Sequence, residues 1–218
     1  MRAHSSRLFV SVFLLSAILA PCVAQDLKPV VLPKPRMEGG KPLLQALKER
    51  KSTRGFSQEK LSAQTLSDML WAACGVNRPD GRRTAPSAMN SQEIDLYVTL
   101  PDGVYLYEPE PHRLRPVAAG DMRAKTGSQP FVAEAALNLV YVEDQARFKY
   151  GHAKPEEKIG FASFAAGAIA QNVYLFCASE GLATVLRASA DKEGLAKALK
   201  LRPEQRVIYA QSVGYPKK

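Results

Sequence analysis

The chain has 218 residues and a formal charge of +9, from 30 Lys and Arg against 21 Asp and Glu. That length fits one domain with a real core. A basic surface can attract nucleic acid, anionic lipid or an anionic small ligand, but no basic stripe with interleaved aromatics occurs, so no nucleic-acid partner is expected. There is no CxxC, no His/Cys cluster and no GxSxG, so neither a metal site nor a Ser-His-Asp triad is expected.

The N-terminus reads as a secretory signal. Arg2 and Arg7 form a basic start, and Leu8 to Leu19 is an apolar run of about 12 residues, too short to span a bilayer comfortably. Cys22 and Ala24 occupy the −3 and −1 positions of a cleavage after Ala24. Removal of residues 1–24 leaves about 194 residues with a charge of about +7, placed outside the cytoplasm as a secreted or periplasmic protein. A lipoprotein would need Cys22 as its first residue, and Pro21 before it is a poor match. No later segment reads as long and apolar enough to be transmembrane. The remaining cysteines, Cys74 and Cys177, sit in apolar surroundings and read either as buried thiols or as a disulfide that export would permit.

Residues 25–42, QDLKPVVLPKPRMEGGKP, read as an extended, unpacked arm. Leu43, Leu44 and Leu47 then fall on one face of a helix. Ser62 to Ala73 is a second helix, with Ser62 as N-cap and Gly75 as its stop. Ile94 to Leu100 predicts a strand that turns at Pro-Asp-Gly into Val104 to Tyr107. A short helix and loop are expected in residues 121–135. Leu137 to Val142 suits a central strand. Gly160 to Glu180 is the most apolar helical stretch after the signal, and reads as a central helix whose small residues permit close approach by a helix or a second subunit. Ala190 to Leu199 predicts a short helix and Arg206 to Val213 a last strand. The order implies an α+β sandwich.

Three segments carry candidate chemistry. Arg50, Lys51, Ser52 and Arg54 place cations and a hydroxyl where a phosphate could be held, although basic residues near a helix C-terminus also suit its dipole. Pro86, Ser87, Ala88 and Asn90, with Gln92, offer donors and acceptors to a polar ring, or form an ordinary polar loop. Gly181 and Leu182 follow the long helix, either as its C-cap or as backbone that a ligand can approach. Tyr105, Tyr107 and Tyr150 read as packing or surface residues.

Together these segments resemble the nitroreductase-like family of flavin-dependent oxidoreductases. The pattern R-R-S-x-R-x-[FY] is matched by Arg50, Lys51, Ser52, Arg54 and Phe56, and P-S-[AS]-x-N-x-Q by Pro86, Ser87, Ala88, Asn90 and Gln92. The long-helix pattern is matched by Gly167, Gln171, Asn172, Leu175, Gly181 and Leu182, with Ala178 shifted by one; V-G-Y-P is matched by Val213 to Pro216. The spacing looks most like the peptide thiazoline and oxazoline dehydrogenase branch. The resemblance covers residues 43–218. It implies a nitroreductase-like three-layer sandwich, with a mixed, mostly antiparallel sheet between helices. It also implies a homodimer through the central helix, with FMN at the interface.

Carried over, Arg50, Lys51, Ser52 and Arg54 would hold the FMN phosphate and ring edge. Pro86, Ser87, Ala88 and Asn90 would lie on the ring from the partner subunit, Gly181 and Leu182 would give backbone contacts, and Lys217 would close the phosphate site. The implied activity is an exported oxidoreductase that transfers hydride through flavin N5 to or from a quinone, a nitro compound or an azoline-like ring. NAD(P)H is a possible donor. The chain has Ala165 where many members carry an acid, and many members extend beyond the V-G-Y-P strand. These departures motivate the alternative of a non-catalytic flavin- or ligand-binding protein that keeps the fold.

Overall fold

The computed structural model describes residues 27–149 and 153–218. The expected signal segment, with Cys22, and also Tyr150 and His152 lie outside the described residues.

The N-terminal arm is extended, as Pro29, Pro33 and Pro35 require, but it is packed, which corrects the expectation of a loose arm. Val30–Val31 (β1) pairs antiparallel with the strand at residues 113–119. Leu32 is buried. Arg36 donates to buried Asp68 from its backbone N and from Nε, each at 2.8 Å.

Leu43–Glu49 (α1) buries only Ala46; its leucine stripe, Leu43, Leu44 and Leu47, is exposed. Ala63–Cys74 (α2) follows. The Ser62 hydroxyl accepts from Thr65 N at 3.0 Å, a cap worth about 1 kcal/mol. Ile94–Thr99 (β2) and Gly103–Glu108 (β3) form the expected hairpin, and Arg113–Ala119 (β4) extends it. Phe131–Glu134 (α3) precedes Leu137–Asp144 (β5), which is buried along its whole length.

Pro155–Glu180 (α4) has 26 residues. Pro155 opens it, and the Glu157 carboxylate accepts from the Lys154 N–H at 2.7 Å, so the start is fixed by a first-turn proline and a side-chain bond back to the cap. Ala183–Arg187 (β6), Lys192–Ala198 (α5) and Gln205–Gly214 (β7) complete the chain. By length and composition α4 could cross a bilayer, which corrects the expectation that no later segment could. It packs as a core helix, with Ala162, Ala165, Ala166, Ile169, Ala170, Val173 and Cys177 buried.

The seven strands form one sheet in the order β1-β4-β3-β2-β5-β7-β6, and each pairing is antiparallel. Alternation divides the side chains between two cores. Ile94, Leu96, Val98, Leu139 and Tyr141 join α2 and α4 on one face. Tyr97, Val104, Val140, Val142 and Val207 meet Leu195 of α5 on the other. This is the expected three-layer α+β sandwich. Cys74 and Cys177 are buried free thiols, and burial raises both pKa values, that of Cys74 to about 11.

Candidate functional site

The basic segment after α1 is extended rather than helical. Thr53 N donates to Thr184 O at 2.9 Å, and Ser57 N to Tyr215 O at 2.9 Å. Phe56 bridges Pro216, and Lys217 N donates to Gly55 O at 3.2 Å. Residues 163 positions apart in sequence, such as Arg54 and Lys217, are thereby brought to one end of the sheet.

A cleft of about 620 Å³ opens there. Lys51 and Thr53 line it from the basic segment, Tyr174 and Cys177 from α4, Gly181 and Leu182 from the turn, and Lys217 from the segment after the last strand. Lys41 and Lys48 add two further cations. Lys41 pairs with Glu49 at 2.6 Å, whereas Lys48, Lys51 and Lys217 form no ion pair among the described residues. The cleft is therefore net positive.

Arg50 and Ser52 reach Tyr174 instead of the cleft itself. The Arg50 guanidinium lies 5.3 Å from the Tyr174 ring centre, and the Ser52 hydroxyl is 2.8 Å from the Tyr174 hydroxyl. Arg54 is exposed and outside the lining. Gly181 adopts φ 71° and caps α4 through Cys177 O, so its glycine serves the left-handed turn. The sequence reading missed Tyr174, Lys41 and Lys48. Tyr174 was legible in principle, because it precedes Gly181 by two helical turns on the same face.

The segment around Pro86 is elsewhere. Pro86 and Ser87 border a dent of about 10 Å³ beside Ala165 and Ile169, in the middle of α4. Ala165 and Cys177 are twelve positions apart, or about 18 Å along the helix. Within one chain, then, Lys51, Gly181, Leu182 and Lys217 come together, while Pro86, Ser87, Ala88 and Asn90 stand apart.

That loop is heavily restrained. Met89, Asn90 and Gln92 all have φ near +50°, a region in which a non-glycine residue costs about 1–3 kcal/mol. Hydrogen bonds hold the shape. The Ser87 hydroxyl accepts from Gln92 N at 2.9 Å, Gln92 Nε2 donates to Gly81 O at 3.0 Å, and Lys149 Nζ to Asn90 O at 2.9 Å. Met89 is held out to solvent. Strain of this kind, combined with an exposed apolar tip, points to a surface built to meet something.

The sequence profile of the nitroreductase family matches residues 47–215. The chain belongs to the nitroreductase family. A nitroreductase structure from Ralstonia eutropha JMP134 is 41% identical, with a TM-score of 0.84 over 90% of this chain and 93% of its own. A nitroreductase from Methanocaldococcus jannaschii is 31% identical over 149 residues, 63% of this chain and 73% of the relative. The Escherichia coli microcin synthetase complex contains a chain that shares the fold at 22% identity and a TM-score of 0.66, covering 97% of this chain and 85% of its own. A nitroreductase-type oxidoreductase fits a cleft that offers cations and backbone but no nucleophile-base pair.

Proposed function

We propose that the protein is an exported, homodimeric, FMN-dependent oxidoreductase of nitroreductase type. The observation that carries this is the position of two half-sites at different levels of one helix, the cationic cleft beside Tyr174 near its C-terminal end and the strained loop beside Ala165 and Ile169 in its middle. A two-fold axis crossing α4 between Ala165 and Cys177 would bring one chain's cleft to the other chain's loop. The outward face of α4 supports such packing. Phe164 is 62% exposed, and Gly160 and Gly167 would meet nothing within 4 Å if each carried a Cβ. The exposed stripe of Leu43, Leu44 and Leu47 adds apolar area beside it.

The cleft fits the cofactor in size and chemistry. Its volume lies within the roughly 300–1,000 Å³ of ligand pockets, and the unpaired ammonium groups of Lys51 and Lys217 suit a phosphate. Tyr174 positions Ser52 and Arg50, and Gly181 and Leu182 leave backbone accessible. Pro86, Ser87, Ala88 and Asn90 of the other subunit would cover the ring. FMN supplies reversible hydride transfer at its ring; the protein binds, orients and limits access. The substrate class is a quinone, a nitro compound or an azoline-like ring, the last resting on the spacing resemblance to the thiazoline and oxazoline dehydrogenase branch alone. Export rests on the basic, apolar N-terminal segment, and the donor is a reduced small molecule available there.

Subunit complementation tests the arrangement. A Lys51→Ala/Lys217→Ala chain and a Ser87→Trp chain should each bind FMN poorly. Unfolded and refolded together, they should recover one competent site per mixed dimer. No recovery from two folded parents would refute a site shared between subunits. The alternative of a non-catalytic binder is ruled out by rapid turnover with any donor and acceptor.

A further inference from the structure

A second cleft, of about 340 Å³, lies on the sheet face opposite α4. It opens between β2, β3 and β4 on one side and the segment joining α5 to β7 on the other. Its wall is apolar, formed by Leu106, Pro116, Val117 and Leu199. Its rim is basic, formed by Arg115, Arg147, Lys200 and Arg202.

Acids at its base hold the arginines of that rim in place. Asp95 has both oxygens engaged, Oδ1 by Arg147 at 2.8 Å and Oδ2 by Gln205 Nε2 at 3.1 Å. Asp144 lies behind, with Oδ2 taken by Arg202 at 2.6 Å and Oδ1 by Ala146 N at 3.1 Å. Glu108 pairs with Arg115 but is shared with Arg113. Glu204 lies 3.9 Å from Arg202 as well, so these carboxylates anchor all three arginines and leave Lys200 as the rim cation with no ion pair among the described residues.

The floor supplies an independent observation. Tyr97 is only 5% exposed, lines this cleft, and its hydroxyl makes no hydrogen bond to any described residue. Burial, and next the Asp95 carboxylate, raise its pKa to about 12 against the opposing pull of Arg115, Arg147 and Arg202, so it remains a donor at neutral pH.

We propose that this cleft binds a small organic carboxylate. The carboxylate is received by Arg115, Lys200 and Arg202 with the Tyr97 hydroxyl donating, and the apolar body lies on Leu106 and Val117. Inorganic phosphate would leave the apolar wall bare, and a neutral aromatic would leave the cations unmatched. The site is separate from the FMN cleft and does not depend on the function proposed above.

The test is a titration of the purified protein carrying ¹³C-labelled Leu and Val methyls, with and without FMN. The probes are benzoate and hexanoate, compared with benzyl alcohol and inorganic phosphate. Saturable shifts at Leu106, Val117 and Leu199 with either carboxylate are expected, with at least about tenfold weaker effects from the other two. Tyr97→Phe, which keeps the ring, and Arg115→Gln, at an exposed side chain, should each weaken benzoate about tenfold, the loss of one charge-assisted bond. Absence of saturation at these methyls would overturn the proposal. Equal response to phosphate, or unchanged affinity in both folded variants, would also overturn it by reducing the cleft to a basic patch.

Discussion

The hydroxyls of Ser52 and Tyr174 lie 2.8 Å apart, although 122 positions separate them in sequence. The Tyr174 hydroxyl also accepts from Leu186 N at 2.9 Å, and its ring carries the Arg50 guanidinium. One side chain of α4 thus ties the basic segment to the edge strand β6 and fixes the wall of the cleft.

Tyr174→Phe should therefore loosen the cleft without emptying it. The ring and the Arg50 contact remain, while two hydrogen bonds are lost. Stability should fall by about 1–2 kcal/mol, and FMN affinity should fall about five- to tenfold. Thermal unfolding and flavin fluorescence titration read the two effects separately.

The lysines should act on the phosphate alone. Lys51→Ala and Lys217→Ala should each weaken FMN about tenfold, the scale of one charge-assisted contact, and leave riboflavin affinity unchanged. Parallel titrations with the two flavins at low and high salt check this. An equal loss for riboflavin would remove both residues from the phosphate end.

Gly181→Ala isolates a backbone effect. A Cβ there meets nothing within 4 Å, but φ is +71°. The expected cost is about 1 kcal/mol, which lowers Tm by about 2–4 °C for a chain of this size. A much larger fall would mean that the turn carries contacts beyond its own conformation.

Glu93 should make stability fall with rising pH. It is fully buried, neither carboxylate oxygen has a hydrogen-bond partner, and burial raises its pKa above the usual Glu range. A raised carboxyl pKa means that the folded state holds the proton more tightly than the unfolded chain. Its contribution is therefore most favourable below the unfolded pKa and is lost as pH rises through the folded one. Glu93→Gln should be more stable than the parent at neutral pH and show a flatter pH profile in denaturant titrations.

The sheet and its main helices were legible because they rest on local patterns. Ser62 before an apolar repeat, Pro-Asp-Gly between alternating runs, and Gly181 after a long apolar stretch each act within a few residues. What stayed hidden depends on distant partners. The prolines of the arm indicated extension but not that Arg36 would find Asp68. The ATVLR segment did not reveal β6, nor that Arg187 would be buried against Thr126, Asn138 and Ser212. The leucines of α1 read as one face of a helix, but the pattern did not reveal that this face would be exposed. In the candidate site, cation identity was readable, whereas the alternation that turns Lys51 to the cleft and Ser52 to Tyr174 needed the strand-like pairing with Thr184.

The central claim is tested most directly by the absorbance spectrum of the purified protein after incubation with FMN, recorded across a size-exclusion peak. The account expects flavin bands co-eluting with a dimer at one FMN per chain, and bleaching on addition of a reductant. A folded protein that elutes colourless, with FMN left in the small-molecule fraction, would contradict it.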